Sequence, residues 1–192
     1  MYHLLLNDHL EAIDLATALA QLPEWRLRQA LAFRPAHQQL QNAAAYLLLC
    51  QALREAYGIE EKPMFDYGPN GKPGIVGHPD IHFNLSHCDE AVICVSDDGP
   101  IGVDIESVKA YDEEVARYAM NDDELRQIHQ APRPDVAFTR LWTRKEAVLK
   151  RSGQGLTNQA ALRDLLLANP FPLLTFENPD LRYVYSICYT PR

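Results

Sequence analysis

An α+β fold is predicted for this 192-residue chain from three features of its sequence. Strand-like and helix-like segments are interleaved irregularly, which disfavours a doubly wound parallel sheet. Two long helical stretches, through AAAYLLLCQALREAY and FTRLWTRKEAVLK, have physical start and stop signals. Two short runs, IHFNLS and IGVDIE, alternate with the two-residue period of half-buried strands.

Taken in order, Tyr2 to Leu6 reads as a short strand, and Leu10 to Leu19 as an amphipathic helix with apolar residues near helical spacing. Pro35 opens the first long helix, since its fixed φ suits a helix start, and Gly58 ends it. Gly68-Pro69-Asn70-Gly71 is a turn. In the strand Ile81 to Ser86, one face packs inward while His82, Asn84 and Ser86 share the other. Ala91 to Ser96 is a continuous apolar strand, and Asp97 to Pro100 turns the chain. From Ile101 to Glu106 the alternation is strict, with Ile101, Val103 and Ile105 opposite Gly102, Asp104 and Glu106. Acid-rich short helices follow, then the second long helix from about Asp135 to Arg151, stopped by Gly153. Leu162 to Leu167 reads as helix, and Leu173 to Glu177 with Tyr183 to Tyr189 as paired closing strands.

Composition narrows the function classes. The 47% hydrophobic content is that of a folded protein, and no stretch approaches the roughly 18 to 20 apolar residues of a membrane span. The start MYHLLLNDH lacks the basic region of a signal peptide, so a cytoplasmic protein is expected. The four cysteines form no C-x-x-C pair, which points to reduced thiols and away from zinc. A net charge of −8 argues against nonspecific partners such as nucleic acid or an anionic membrane. That charge is uneven: residues 1–100 carry 13 acidic against 6 basic side chains, and residues 101–192 carry 13 against 12.

Several familiar patterns fail on inspection. Gly68 to Pro73 imitates a phosphate loop, but its spacing is short and Pro73 stands where a Ser or Thr should hold magnesium. Gly153-Gln154-Gly155 follows a helix, so it is no dinucleotide fingerprint. His82, His87 and Cys88 lack a fourth ligand for a soft metal.

The stronger signal begins at Asp104 and Glu106. Residues i and i+2 of a strand project the same way about 6.6 to 6.8 Å apart, near enough for both carboxylates to reach one hard cation. An isolated Asp-x-Glu is more often a solvated polar face. Gly102 on the same face shifts the balance, because it leaves room for a ligand or another backbone. On the second long helix, Ala137, Phe138, Leu141, Trp142, Val148 and Leu149 fall on one arc, the expected buried face. Lys145 lies within that arc and either snorkels to water or meets an anionic partner. Glu146 and Lys150 are an i, i+4 pair on its flank: either a helix-stabilising ion pair, or a third metal carboxylate beside a phosphate-binding ammonium. Arg140, Arg144 and Arg151 form an expected solvated basic stripe on the opposite side.

Together these residues resemble a known family. Ile101-Gly102-Val103-Asp104-Ile105-Glu106, followed some forty residues later by Leu141-Trp142-Thr143-Arg144-Lys145-Glu146-Ala147-Val148-Leu149-Lys150, is similar to the paired signature of the 4′-phosphopantetheinyl transferases of the surfactin-synthetase type. Gly71-Lys72-Pro73 and Phe83-Asn84-Leu85-Ser86-His87 resemble two further motifs of that family, in the same order.

The resemblance implies a pseudo-twofold α+β fold of two similar lobes, residues 1–100 and 101–192, with the active site in the cleft between them. It implies transfer of phosphopantetheine from coenzyme A to a serine of an apo acyl or peptidyl carrier protein, releasing adenosine 3′,5′-bisphosphate. Asp104, Glu106 and Glu146 occupy the family's magnesium positions. Glu146 also occupies that of the base, and Lys150 that of a phosphate-contacting lysine. Lys72, Ser86 and His87 fall where the family contacts the nucleotide end of the coenzyme. Of the basic residues expected for its 3′-phosphate, Arg34 is best placed, with Arg26 and Arg28 as further choices. The length of this type implies a monomer. The alternatives are a non-catalytic binder of coenzyme A or carrier protein, and a structural domain whose acidic strand is merely solvated.

Overall fold

The computed structural model of the protein describes residues 2–155 and 158–191, so the outer ends of the two expected lobes, residues 1 and 192, lie outside the described residues. The chain opens with β1 (His3–Asn7), a 3-10 turn at Leu10–Ala12, α1 (Leu15–Ala20), α2 (Glu24–Leu31) and α3 (Ala36–Tyr57). Four strands follow, β2 (Phe65–Tyr67), β3 (Pro73–Ile75), β4 (His82–His87) and β5 (Val92–Asp97), then β6 (Ile101–Ser107). The remainder comprises α4 (Glu113–Ala119), α5 (Asp122–Gln130), α6 (Pro134–Ser152), α7 (Gln159–Arg163), α8 (Leu165–Ala168), β7 (Leu173–Glu177) and β8 (Tyr183–Tyr189).

A strand–helix–strand–strand unit occurs twice. In the first, β1, β5 and β4 form a sheet in that order with α3 packed on it; in the second, β6, β8 and β7 do the same under α6. In both units the last strand is central and pairs antiparallel with each neighbour. The fold is therefore α+β with the same topology in each half.

Alternation decides which residues face which layer. Leu5, Phe83, Leu85, Val92 and Cys94 face the α3 side, where Leu48, Leu49 and Leu53 meet them. From the other face of the same sheet, Leu4, Leu6, Ile93 and Val95 pack on Ile101, Val103, Ile105 and Ile187 of the second sheet. With its odd-numbered residues committed to that core, β6 turns Gly102, Asp104 and Glu106 toward α6.

Some expectations need correction. Leu10 to Leu19 is not one helix: the Asp14 carboxylate accepts from the Thr17 backbone N–H at 2.8 Å and starts α1 afresh. Helix α2 and the small β2–β3 hairpin, closed by the Gly68–Gly71 turn, were not predicted. The expected turn after Asp97 carries the chain from the first sheet to the second, since β5 and β6 belong to different sheets. Helix α3 has the expected ends: it follows Pro35 and is capped after Tyr57 by Gly58, which adopts a left-handed φ of 68°.

Candidate active site

The site forms where β4, β6 and α6 meet. Strand β6 is an edge strand, so its outer backbone N–H groups need acceptors. Side chains of β4 supply them: Asn84 Oδ1 accepts from Val103 N at 2.8 Å, and Ser86 Oγ from Ile105 N at 3.3 Å. The two bonds bracket Asp104. On the helix side, Gly102 allows close approach of α6, for a β-carbon there would overlap the Ala147 carbonyl oxygen and lie 2.8 Å from Arg151 Cα. The room this glycine leaves is filled by another backbone.

That approach brings Lys150 Nζ to 2.5 Å from Asp104 Oδ1 and 3.0 Å from Ser86 Oγ, while Ser86 Oγ donates to Asp104 Oδ1 at 3.0 Å. Asp104 is 3% exposed, and its Oδ2 is buried with no hydrogen-bond partner among the described residues. Burial pushes the Asp104 carboxyl upward against the pull of Lys150. Glu106 is pushed up to about 7, first by burial and then by the Asp104 charge, with a hydrogen bond from Trp142 opposing. Glu146 is raised for the same two reasons. Three carboxyl groups thus share one electrostatic environment that resists their joint ionisation. Among the described residues, however, no three His, Cys, Asp or Glu side chains converge tightly enough to enclose a metal by themselves.

A cavity of about 320 Å³ opens beside them, lined by Gly71, Lys72, Asn84, Glu146, Lys150 and Gly153 among others. Lys72 reaches it from the β2–β3 turn, and its ammonium donates to Ile101 O at 3.1 Å and Arg151 O at 2.9 Å. Burial, and secondarily Arg151, lower its pKa to about 8. His87 sits exposed at the end of β4, with its imidazole pKa lowered by partial desolvation and by the charges of Lys150 and Arg26. Arg34 is exposed ahead of α3, and Arg28 pairs with Glu24 on the surface. Arg26 is the better-sited base: it donates to Asn42 O at 3.3 Å, its guanidinium carbon lies 5.6 Å from the Tyr46 ring centre, and its charge reaches His87. Asn84, which lines the cavity and braces β6, was missed as a functional residue although it shares the strand face of Ser86.

The structure also decides between the two readings of Lys145. Its ammonium is fully buried and sits 3.0 Å from Glu124 Oε2, so the anionic partner is present. The basic stripe is a correction for Arg144 and Arg151, which are half-buried, whereas Arg140 is exposed as expected. Arg140 pairs with Glu177, Arg144 Nη1 donates to Thr175 Oγ1 at 3.3 Å, and Arg151 lies over Phe171 with its carbon 3.2 Å from the ring centre. These arginines face β7 and its flank because α6 is covered on its sheet side, through Thr143 and Ala147, as well as on the predicted arc.

Fold and site together define an α+β protein of repeated topology in which Asp104 and Lys150 meet beside a cleft lined by Lys72 and Glu146, while Glu106 borders a separate cavity with Trp142. Residues 100–185 match the 4′-phosphopantetheinyl transferase superfamily. The chain is 35% identical over 114 residues to the 4′-phosphopantetheinyl transferase psf-1 of Bacillus pumilus, covering 58% of this chain and 49% of that one. It is 38% identical over 114 residues to the transferase Sfp of Bacillus subtilis strain 168, covering 58% and 51%. With the transferase AcpT of Salmonella typhi it shares 33% over 96 residues, covering 47% and 50%. The matches span about half the length of these relatives. Residues 100–185, the stretch similar to that superfamily, carry Asp104, Glu106, Glu146 and Lys150. Among the described residues no helix is long and apolar enough to cross a membrane.

Proposed function

We propose that the protein is a magnesium-dependent, cytoplasmic 4′-phosphopantetheinyl transferase that works as a monomer. It takes coenzyme A and an apo acyl or peptidyl carrier protein, and produces the holo carrier and adenosine 3′,5′-bisphosphate. The observation that carries the reading is the junction of Asp104, Ser86 and Lys150 within 2.5 to 3.0 Å, next to a cleft that Lys150 and Glu146 line.

The carboxylates fit a hard divalent cation on two grounds. Asp104 Oδ2 is a buried oxygen without a partner among the described residues, and the Asp104 charge raises the pKa of both Glu106 and Glu146, a cost that a cation would offset. A few carboxylates suffice, since magnesium keeps waters and takes substrate phosphate oxygens for the rest of its shell. When bound it would neutralise charge developing on the diphosphate.

The chain's own residues do the remainder. Lys150 presents an ammonium to the diphosphate, and Lys72, Ser86 and His87 border the path of the nucleotide. Glu146, half-buried and raised in pKa, is suited to accept the proton of the carrier serine. The serine oxygen then bonds to the phosphorus that bears pantetheine, and the bond from that phosphorus to the nucleotide's phosphate oxygen breaks. The leaving nucleotide carries the electron pair away.

Incubation with coenzyme A, magnesium and several apo carriers, read by intact mass, tests this. The carrier should gain one phosphopantetheine, and Glu146→Gln should abolish the gain while preserving the fold. Absence of any gain, with a proven transferase active on the same carriers, would overturn the reading in favour of a non-catalytic binder.

A further inference from the structure

Away from the cleft side of α6 lies a second polar cluster, centred on the buried Lys145 and Glu124. Lys145 Nζ donates to Leu162 O at 2.8 Å and Arg163 O at 3.0 Å, and lies 3.0 Å from Glu124 Oε2, which uses all three of its donors. Glu124 belongs to the capping box of α5: its carboxylate accepts from Asn121 N at 2.9 Å while Asn121 Oδ1 accepts from Glu124 N at 2.9 Å. Asn121 Nδ2 reaches Arg163 O at 3.2 Å, and Arg163 Nε returns to Met120 O at 2.9 Å. The start of α5, the middle of α6 and the end of α7 are thereby tied at one point.

We propose that the buried Lys145–Glu124 pair is a positioning device that fixes the rotation and axial register of α6, and so aims Glu146 into the cleft. This rests on the function proposed above. Of the other directed contacts of α6, Lys150 with Asp104 belongs to the site itself and Arg140 with Glu177 is exposed. Its sheet side hydrogen-bonds Thr143 Oγ1 to Ser186 Oγ at 2.9 Å but otherwise sets small side chains over Gly102, and its outer arc is apolar; packing of that kind is not oriented. An ion pair with all three donors engaged is. A rotation of one residue swings a side chain by about 100°, enough to lift Lys145 from its acceptors and to carry Glu146 from the cleft wall. Buried pairs of this sort add little to stability compared with apolar replacements, and their best-attested use is in setting register.

The test compares wild type with Lys145→Met/Glu124→Gln, which removes both charges and keeps an acceptor for the α5 cap. The melting temperature should stay within a few degrees of wild type, while kcat falls about 10- to 100-fold with the KM for coenzyme A changed far less. A second readout does not depend on activity. With both tryptophans labelled as 5-fluorotryptophan, the fluorine resonance of Trp142 on α6 should move while that of Trp25 on α2 stays. Should the wild type transfer nothing, the proposed function fails, yet the resonance shift still reports on the register. If the double variant does not fold, Glu124→Asp carries the same test, because it keeps the charge and draws the carboxylate back by one methylene. A folded variant with wild-type kcat and an unmoved Trp142 resonance would overturn the proposal.

Discussion

Gly102 and Ala147 touch backbone to backbone: the missing β-carbon of one is the space occupied by the carbonyl oxygen of the other. This contact sets how near α6 lies to β6, and hence how near Lys150 and Glu146 come to Asp104. Gly102→Ala must push the helix outward. A loss of about 1 to 3 kcal/mol is expected from overpacking. Transfer should fall much further than stability, because the displacement acts on the site. Denaturant melts alongside kcat check this; a variant with unchanged activity would mean that the helix gives way without moving the site.

The Lys150 ammonium neutralises a nearly buried carboxylate. In Lys150→Met, Asp104 loses its ammonium partner and keeps the Ser86 hydroxyl, so the variant should lose about 1 to 3 kcal/mol, the cost of a buried group left short of a partner. The double variant Lys150→Met/Asp104→Asn should recover most of that loss, since the uncompensated charge is gone. Neither should transfer phosphopantetheine. Urea unfolding of the four proteins in the cycle measures the coupling, and additivity of the two changes would show that the 2.5 Å contact contributes nothing.

Magnesium should stabilise the free protein. At about ten times its dissociation constant, a ligand bound by the folded state alone adds about 1.4 kcal/mol. For a chain of this length that corresponds to a rise in Tm of about 3 to 6 °C. Chelator should reverse the rise, and Asp104→Asn should remove it. A magnesium effect equally large in Asp104→Asn would place the cation elsewhere.

The sequence made the site legible where its signal was local. Asp104 and Glu106 share a strand face by a period of two, and Glu146 and Lys150 share a helix flank by a spacing of four, so each pair could be oriented without knowledge of the fold. The role of Gly102 was half legible: it signalled close approach, and only the packing identifies the partner as α6. Glu124 was illegible as the partner of Lys145 because twenty-one residues and a helix connection separate them. The misreading of Arg144 and Arg151 has a similar origin. A helical wheel with one apolar arc implies one buried side, whereas Thr143 and Ala147 are fully buried against the sheet without being strongly apolar. Arg26 and Arg34 carry no period at all, and the first is singled out only by its packing, against the Tyr46 ring and Asn42 O and near His87.

Lys72 provides a pH signature that separates its structural contact from its proposed contact with coenzyme. Its folded pKa of about 8 lies below the ordinary lysine value of 10.5, burial being the main cause. The folded state therefore binds fewer protons than the unfolded state between these two values, and stability rises with pH across that window. The Lys72 contribution is complete above the unfolded value and is lost as pH falls through about 8. Subtracting the melting profile of Lys72→Met from that of wild type between pH 7 and about 10 isolates this contribution. The difference should grow in favour of wild type as pH rises, because the neutral amine no longer carries a charge into the interface yet still has hydrogens for Ile101 O and Arg151 O. Coenzyme affinity should run the opposite way, weakening above pH 8 in wild type as the charge offered to phosphate disappears, and staying flat in Lys72→Met. A stability difference that is independent of pH would show that the ammonium is no more desolvated in the folded protein than in the unfolded chain.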